Sequence, residues 1–431
     1  MTTGLALLGC GTVGSAVAEM LLAEKSHLQE RSGQRLELRR ILVRDKRKSR
    51  NRMVPKRLIT TNAEDILADP AVTIVVELMG GIEPARTLLL RSLAAGKHVV
   101  TANKHLLALH GAELFAAASK AGRCICFEAS CGGAIPIIMA LTRGLIANSI
   151  DRVIGIVNGT CNYILSQMSA SGQSYAEALS GAQAEGFAEP DPTFDVSGID
   201  SAHKLAILAA LAFGVQVPFE KINICGINNL DDLDLKFSRE LGYTCKLLAI
   251  GERTAGGISL RVAPTLIPAR SVLANVHGPF NAISVFGHAA GQTTYYGRGA
   301  GPKPTASAVI ADIVEAAMGT ASLLFANLPL LTKRTRGRFL PANKIVARNY
   351  LRITALDSPG VMHQITGILG RRGISLSAIA QHESKAGAYV PLVITTHEAV
   401  EGDIAKAVVE IDRLKCTKGK AVRLNIIDPA A

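Results

Sequence analysis

The stretch Leu5-Ala6-Leu7-Leu8-Gly9-Cys10-Gly11-Thr12-Val13-Gly14 decides the fold. Four apolar residues of β type run straight into a G-x-G-x-x-G pattern, and an apolar helical pattern, Val13 to Ala23, follows at once. The glycine spacing alone is a weak signal, but strand, glycines and helix in this order make a dinucleotide-binding turn. Gly9 permits the tight turn, Gly11 lets backbone approach a pyrophosphate, and Gly14 allows close helix packing. Thr12 and Val13 complete the turn, where an anion would meet the helix N-terminus. A glycine-rich turn without a ligand is the bland alternative.

Working outward, apolar β-type runs recur at 38–43, 73–78, 98–101 and 124–127, with a further helical pattern at 112–121. Alternation of this kind builds βαβ units. An α/β, Rossmann-type nucleotide-binding domain is therefore expected over 1–130, and a helix opening after Pro304 is expected to bring 301–325 back onto it. Residues 131–300 mix helix and strand without that rhythm. Lys333, Arg334, Arg336 and Arg338, with Gly337 and Pro341, read as part of a basic linker over 326–348. From Asn349 a βαββαβ pattern begins, with strands near 349–355, 374–381, 388–396 and 421–427 and helices near 360–371 and 401–414. That predicts a ferredoxin-like module over 349–431.

At 431 residues the chain has length for about three domains. With 48% hydrophobic and 19% charged residues it is neither a disordered segment nor a rod. The longest apolar stretch, Leu205 to Val217, is broken by Gly214 and Gln216 and falls short of the roughly 20 residues a spanning helix needs, so no membrane partner is expected. The N-terminus lacks the charged start of a signal peptide, and a cytoplasmic location is expected. Cysteines at 10, 124, 126, 131, 161, 225, 245 and 416 form no CxxC pair, which argues against a disulfide framework or a zinc site. Net charge is +12, but residues 39–57 hold ten Lys or Arg against one acid, Asp45, and so carry +9 of it. The excess is local, and no aromatic residue lies within that run to stack on bases. Nucleic acid is not an expected partner.

The second strand ends Val43-Arg44-Asp45-Lys46. An acid at this point of a dinucleotide site binds ribose hydroxyls, whereas an arginine accommodates a 2′-phosphate. Arg44 thus favours NADP and Asp45 leaves NAD open; a solvated basic loop is the bland reading. Between Glu185 and His203 stand five carboxylates, Glu185, Glu189, Asp191, Asp195 and Asp200, and no Lys or Arg, a local anionic patch suited to a substrate ammonium. Asp200 and Lys204 share a helix face at i,i+4 spacing. On spacing alone the pair reads first as a surface ion pair contributing roughly 0.2–0.5 kcal/mol. Lys104 follows the fourth candidate strand, at the carboxyl end of the sheet where ligands of open α/β folds bind.

GCGTVG, VVELMGG at 75–81, GKHVVTANK at 96–104, FEASCGGAIPII at 127–138, GIVNGTCNYIL at 155–165, AEGFAEPDPTFDVSGIDSAHKLAIL at 184–208 and GRGAGPKPTASAV at 297–309 together resemble homoserine dehydrogenase. The motifs run in order over 4–320, and the tail, with Asp357-Ser358-Pro359-Gly360 before a helix, is similar to an ACT-type regulatory domain. No aspartate kinase precedes them, so the resemblance is to the monofunctional form. It implies reversible conversion of L-aspartate 4-semialdehyde to L-homoserine, in the route to threonine, methionine and isoleucine. Residues 131–300 would then form an α+β substrate-binding and dimerisation domain. The resemblance makes Lys204 the proton donor, places Lys104 between cofactor and substrate, and gives Glu189, Asp195 and Asp200 to the substrate. Asp200 would also help hold Lys204. Gly186 and Gly301 are implied as backbone contacts to the cofactor. A monovalent cation, Na+, is implied at the Glu128 side chain and the carbonyls of Cys131, Gly133 and Ile135; cysteine stands at 131 where valine is commoner in the family. L-threonine as regulator and a homodimer or homotetramer are further implications. Two other classes stand against this reading: an acylating semialdehyde dehydrogenase with Cys131 as nucleophile, and a non-enzymatic amino-acid sensor or nucleic-acid binder.

Overall fold

β1 (Thr2–Leu8), β2 (Arg35–Leu42), β3 (Ile59–Thr60), β4 (Ile74–Glu77), β5 (His98–Thr101) and β6 (Ile125–Cys126) form one sheet in the order β3-β2-β1-β4-β5-β6. Every pairing in it is parallel. Leu5 sits between Leu38 and Ile74 in register, and Leu5 to Leu8 are all buried. Helices on both faces leave no polar side to such strands, which is why β1 and β4 read as continuous apolar runs. The strand order reverses beside β1, so the carboxyl ends of β1 and β4 flank a topological switch point, the ligand crevice of doubly wound sheets.

This computed structural model describes residues 2–48, 53–382 and 387–428. Arg50 and Arg52 of the basic segment lie outside them. The chain divides into two units, one of Met1–Val153, Ala202–Glu220 and Phe280–Gly337, the other of Ile154–Ser201, Lys221–Pro279 and Arg338–Ala431.

In the first unit the helix Pro302–Met318 packs against the helix Thr12–Ala23. It opens at Pro302 and takes Pro304 into its first turn, three residues before the expected start, because the first helical turn needs no amide from proline. The helix expected at 112–121 is the second half of a longer one, Lys104–Ala121, whose start is fixed by the Asn103 side chain accepting from Leu106 N. A β-hairpin, Phe280–Gly287 with Gly291–Arg298, belongs to the same unit. The stretch read as a linker is structured: Pro329–Thr332 is helical and Thr335–Arg336 pairs with Val215–Gln216.

In the second unit the hairpin Tyr243–Thr254 with Gly257–Pro268 continues through Val422–Ile426, Val346–Leu356 and Tyr389–Thr396 to Leu376–Gln381. The last four strands, with helices Val361–Arg371 and Glu401–Ile411, are the βαββαβ module. Its two helices bury Ile365, Leu369, Ile404, Ala407 and Ile411 against Leu351, Ile353 and Ile394 of the strands. The expected elements of this module match to within a few residues, since its amphipathic helices and alternating strands carry clean 3.6 and 2 periods.

Candidate active site

In the first unit the three glycines of the turn divide their work as the pattern requires. Gly9 has φ 105°, and a Cβ there would lie 2.8 Å from the Leu78 carbonyl oxygen. A Cβ on Gly14 would lie 2.5 Å from the Gly9 carbonyl oxygen, so only glycine lets the helix pack on the turn. Nothing stands within 4 Å of a Cβ on Gly11, the side left open for a ligand. Gly11 is also the N-cap of the helix that Thr12 and Val13 begin, and no side chain caps that end, so its first amides are available to an anion. Gly9 N donates to Leu42 O at 3.0 Å, which ties the turn to the end of β2. Arg44 and Asp45 follow that end and are both exposed; Asp45 accepts from Arg47 N at 2.8 Å. At Gly301, with φ 122°, the helix Pro302–Met318 begins.

The carboxyl ends of β4 and β5 are bound together by groups that sequence reading did not single out. Glu77, fully buried, accepts from Thr101 Oγ1 at 2.7 Å and from the amides of Met79 and Gly80 at 2.8 and 3.0 Å. Asn103 Nδ2 donates to Gly81 O at 2.7 Å. This frame places Lys104 as the first residue of its helix, half-buried. A cation there opposes the helix dipole at a cost of about 0.3–1 kcal/mol. The position is therefore poor for stability and calls for another reason.

Lys204 lies on the helix Ile199–Phe213, one turn after Asp200. Asp200 is 4% exposed and Lys204 8%, so neither belongs to a solvated face. The surface-pair reading fails because Ala202, Leu205, Ala206, Leu208 and Ala209 of the same helix are buried too. A helix apolar all round is enclosed, and its few charged residues are enclosed with it. Cys131 Sγ lies 3.8 Å from Lys204 O, and both Lys204 and Lys104 bear electrostatically on that thiol. Burial nevertheless pushes the Cys131 thiol up to about 12. Cys131 is fully buried, with no surface open to an acyl substrate, which argues against the acyl-transfer reading.

Glu128 is 7% exposed and caps the start of the helix Ile137–Met139, accepting from Ile138 N and Met139 N at 2.8 Å each. Burial raises its carboxyl to about 7. Gly132 and Gly133 turn the loop through φ 72° and 54°, and a Cβ on Gly133 would lie 2.6 Å from the Gly299 carbonyl. Among the described residues no three His, Cys, Asp or Glu side chains gather as for a divalent metal. Asp312, also buried, accepts from Glu128 N at 2.8 Å, so two enclosed carboxylates stand by the glycine-turned loop, and a single monovalent cation there would offset part of the charge that burial disfavours. Ile135 O is engaged by Ile137 N at 2.8 Å.

In the second unit Asn158 joins two of the expected substrate residues. Its Nδ2 donates to Asp195 Oδ1 at 2.7 Å and to Asp200 Oδ2 at 2.9 Å, while its Oδ1 accepts from Cys161 N and caps the helix Gly159–Ser171. Thr160 Oγ1 lies 3.3 Å from Asp195 Oδ2 and donates to Phe187 O at 2.6 Å. The side chain of Glu189 is exposed, and Gly186 turns at φ 75° after the helix Tyr175–Ala184. Glu185 accepts instead from the Tyr163 hydroxyl at 2.7 Å, and Asp191 caps Thr193 N. The acidic stretch is thus divided between structural roles and a cluster of Asp195, Asp200 and Asn158.

Comparison with known proteins identifies the family. Residues 136–314 match the family described as homoserine dehydrogenase, and residues 9–128 match its NAD-binding domain. Homoserine dehydrogenase of Pseudomonas aeruginosa is 41% identical over 426 residues, covering 97% of this chain and 98% of that protein. The chain belongs to the homoserine dehydrogenase family. It is an oxidoreductase of amino-acid biosynthesis, with an NAD(P)-binding domain. Homoserine dehydrogenase of Bacillus subtilis is 40% identical over 410 residues, covering 95% of this chain and 94% of that protein. The solved homoserine dehydrogenase of Thiobacillus denitrificans superposes with a TM-score of 0.94 at 42% identity over 99% of each chain. A hyperthermophilic archaeal homoserine dehydrogenase solved in complex with NADPH matches at TM-score 0.62 and 25% identity, covering 74% of this chain and 98% of that one. Residues 349–413 match an ACT domain. All eight cysteines are free thiols, and among the described residues no single helix is long and apolar enough to cross a membrane.

Proposed function

We propose that the chain interconverts L-aspartate 4-semialdehyde and L-homoserine in the cytoplasm, with Lys204 as proton donor. The observation that carries this reading is the enclosure of Asp200 and Lys204 one turn apart on a single helix. Burying charged groups costs several kcal/mol, which a surface ion pair has no need to meet. As hydride reaches the aldehyde carbon, the carbonyl electrons move to oxygen, and the Lys204 ammonium neutralises that oxygen and gives it a proton. In the oxidative direction a neutral Lys204 takes the hydroxyl proton back. Glu189, Asp195 and Asp200 hold the substrate, with Asn158 fixing the last two, and Lys104 stands between substrate and cofactor.

The nicotinamide supplies the hydride when bound. Gly9, Gly11, Thr12, Val13 and Gly14 cradle its pyrophosphate, Gly301 offers a backbone contact, and Arg44 selects NADP over NAD. Na+ would be held by the Glu128 carboxylate and the carbonyls of Cys131, Gly133 and Ile135, where it supplies a fixed positive charge. The ACT domain binds L-threonine and the enzyme works as a homodimer or homotetramer.

Steady-state assays with the semialdehyde and each reduced cofactor test the reading. Homoserine should form in step with NADPH oxidation, and absence of turnover with both cofactors would reject it. A charge-assisted hydrogen bond contributes about 1.5–3 kcal/mol, so Arg44→Ala should weaken NADPH roughly tenfold or more while changing NADH little. Equal losses for the two cofactors would reject the role of Arg44.

A further inference from the structure

Within the first unit a cavity of about 320 Å³ opens between the helices Lys104–Ala121 and Ile199–Phe213 and the segment after Leu331. Most of its lining side chains are apolar, including Leu107, Phe115, Ile207, Val217 and Leu331, Gln216 and Thr332 add polar edges, and none of its lining residues is Asp or Glu. One cation faces it. Arg334 lines the cavity, with its guanidinium carbon 4.8 Å from the centre of the Phe115 ring and its Nε donating to Leu330 O at 3.0 Å. Among the described residues it forms no ion pair. Three other arginines show what is missing: Arg86 holds Glu113, Arg143 holds Glu315 and Arg352 holds Asp234. Burial pushes the Arg334 guanidinium down to about 10, with no carboxylate opposing the shift.

A half-buried guanidinium that faces a cavity and holds no carboxylate is completed by an anion, and its planar fork suits a carboxylate. Cavities of this size accept small ligands, most of whose surface rests on apolar walls while a few polar groups fix their orientation. We propose that this cavity binds a small amphiphilic carboxylate, its anionic head on Arg334 against Phe115 and its hydrocarbon body between the two helices. The ring and the Leu330 carbonyl hold the guanidinium in place, so little side-chain freedom is lost on binding. The site does not depend on the catalytic assignment, since its cation is neither Lys104 nor Lys204.

Calorimetric titration of the full-length enzyme with sodium octanoate, below its micellar range, and with 1-octanol as the uncharged counterpart tests the proposal. Octanoate should saturate one site per chain and bind at least about tenfold more tightly than octanol. Arg334→Met keeps the apolar stem and should lower octanoate affinity at least about tenfold while leaving octanol unchanged. Ala116→Phe, at an exposed position of the cavity wall, should weaken both. Saturable octanoate binding unchanged in Arg334→Met, equal affinity for octanol, or no saturable binding in the wild type would each overturn it. Thermal midpoints within a few degrees of wild type show that the variants fold.

Discussion

At the scale of single residues, two enclosed lysines make opposite demands. If Lys204 donates the proton, Lys204→Ala removes a general acid whose contribution is typically 10²- to 10⁴-fold, and turnover should fall by about that factor. Lys204→Arg keeps the charge but does not readily release a proton, so it should stay severely impaired. Cofactor affinity should barely move. Near-normal turnover in either folded variant would transfer the role to Lys104 or a bound water. Lys246 is enclosed for structure instead, its Nζ bridging Asn162 Oδ1 at 3.1 Å and Val276 O at 2.5 Å. Burial lowers its ammonium to about 8 from an ordinary 10.5. Between those values the unfolded chain binds the proton and the folded chain does not, so this group makes stability rise with pH across that window. Below about 8 both states are charged and the folded one carries the full penalty, about 3 kcal/mol at most. Lys246→Met should therefore flatten the rise in stability between pH 8 and 10 relative to wild type, as read by denaturant unfolding. Parallel profiles for the two proteins would refute this account.

At the scale of elements, one buried cluster fastens the helix Asp232–Glu240 to the strand Val346–Leu356. Asp234, fully buried, accepts from Arg352 Nε at 2.6 Å, from its second terminal nitrogen at 2.9 Å and from the Tyr350 hydroxyl at 3.0 Å. Removing one partner of such a pair leaves an uncompensated charge and costs about 3–5 kcal/mol, whereas replacing both by apolar groups is often near neutral. Arg352→Leu should thus lower the thermal midpoint clearly, and adding Asp234→Leu should restore much of the loss. Additive losses would deny the coupling. No sequence pattern announces this cluster, because its members stand more than a hundred positions apart. The same limit explains what was legible in the site. The roles of Gly9, Gly11 and Gly14 follow from local backbone sterics and could be read in advance. Asn158 and Glu77 act through contacts of long sequence separation, although each sits in a motif that marks its neighbourhood. Helical spacing placed Asp200 and Lys204 on one face, but only packing decides whether that face meets water.

At the scale of the whole molecule, regulation depends on how the C-terminal module is joined to its own unit. The strand Val422–Ile426 runs parallel to Gly257–Pro268, pairing Asn425 with Thr265 and Ile426 with Leu266. Ile427 N adds a bond to Leu266 O at 3.0 Å, and Arg352 and Tyr350 hold Asp234. Ending the chain after about residue 345 therefore does more than delete a sensor. It opens the edge of a long strand to pairing with other chains and strips Asp234 of its partners. The truncated enzyme should keep turnover in the cold, lose any response to threonine, and show a lower thermal midpoint with a tendency to aggregate. Loss of inhibition in that variant is then ambiguous by itself, so ligand linkage in the intact enzyme must settle the question. Threonine that binds the folded state at about 100 times its dissociation constant stabilises by about 2.7 kcal/mol. The full-length protein should accordingly be inhibited and raised in thermal midpoint over one concentration range of threonine, while the truncated protein shows neither effect. Full-length enzyme that is neither inhibited nor stabilised at about millimolar threonine would leave the ACT module as a structural element of its sheet, without the sensing role proposed for it.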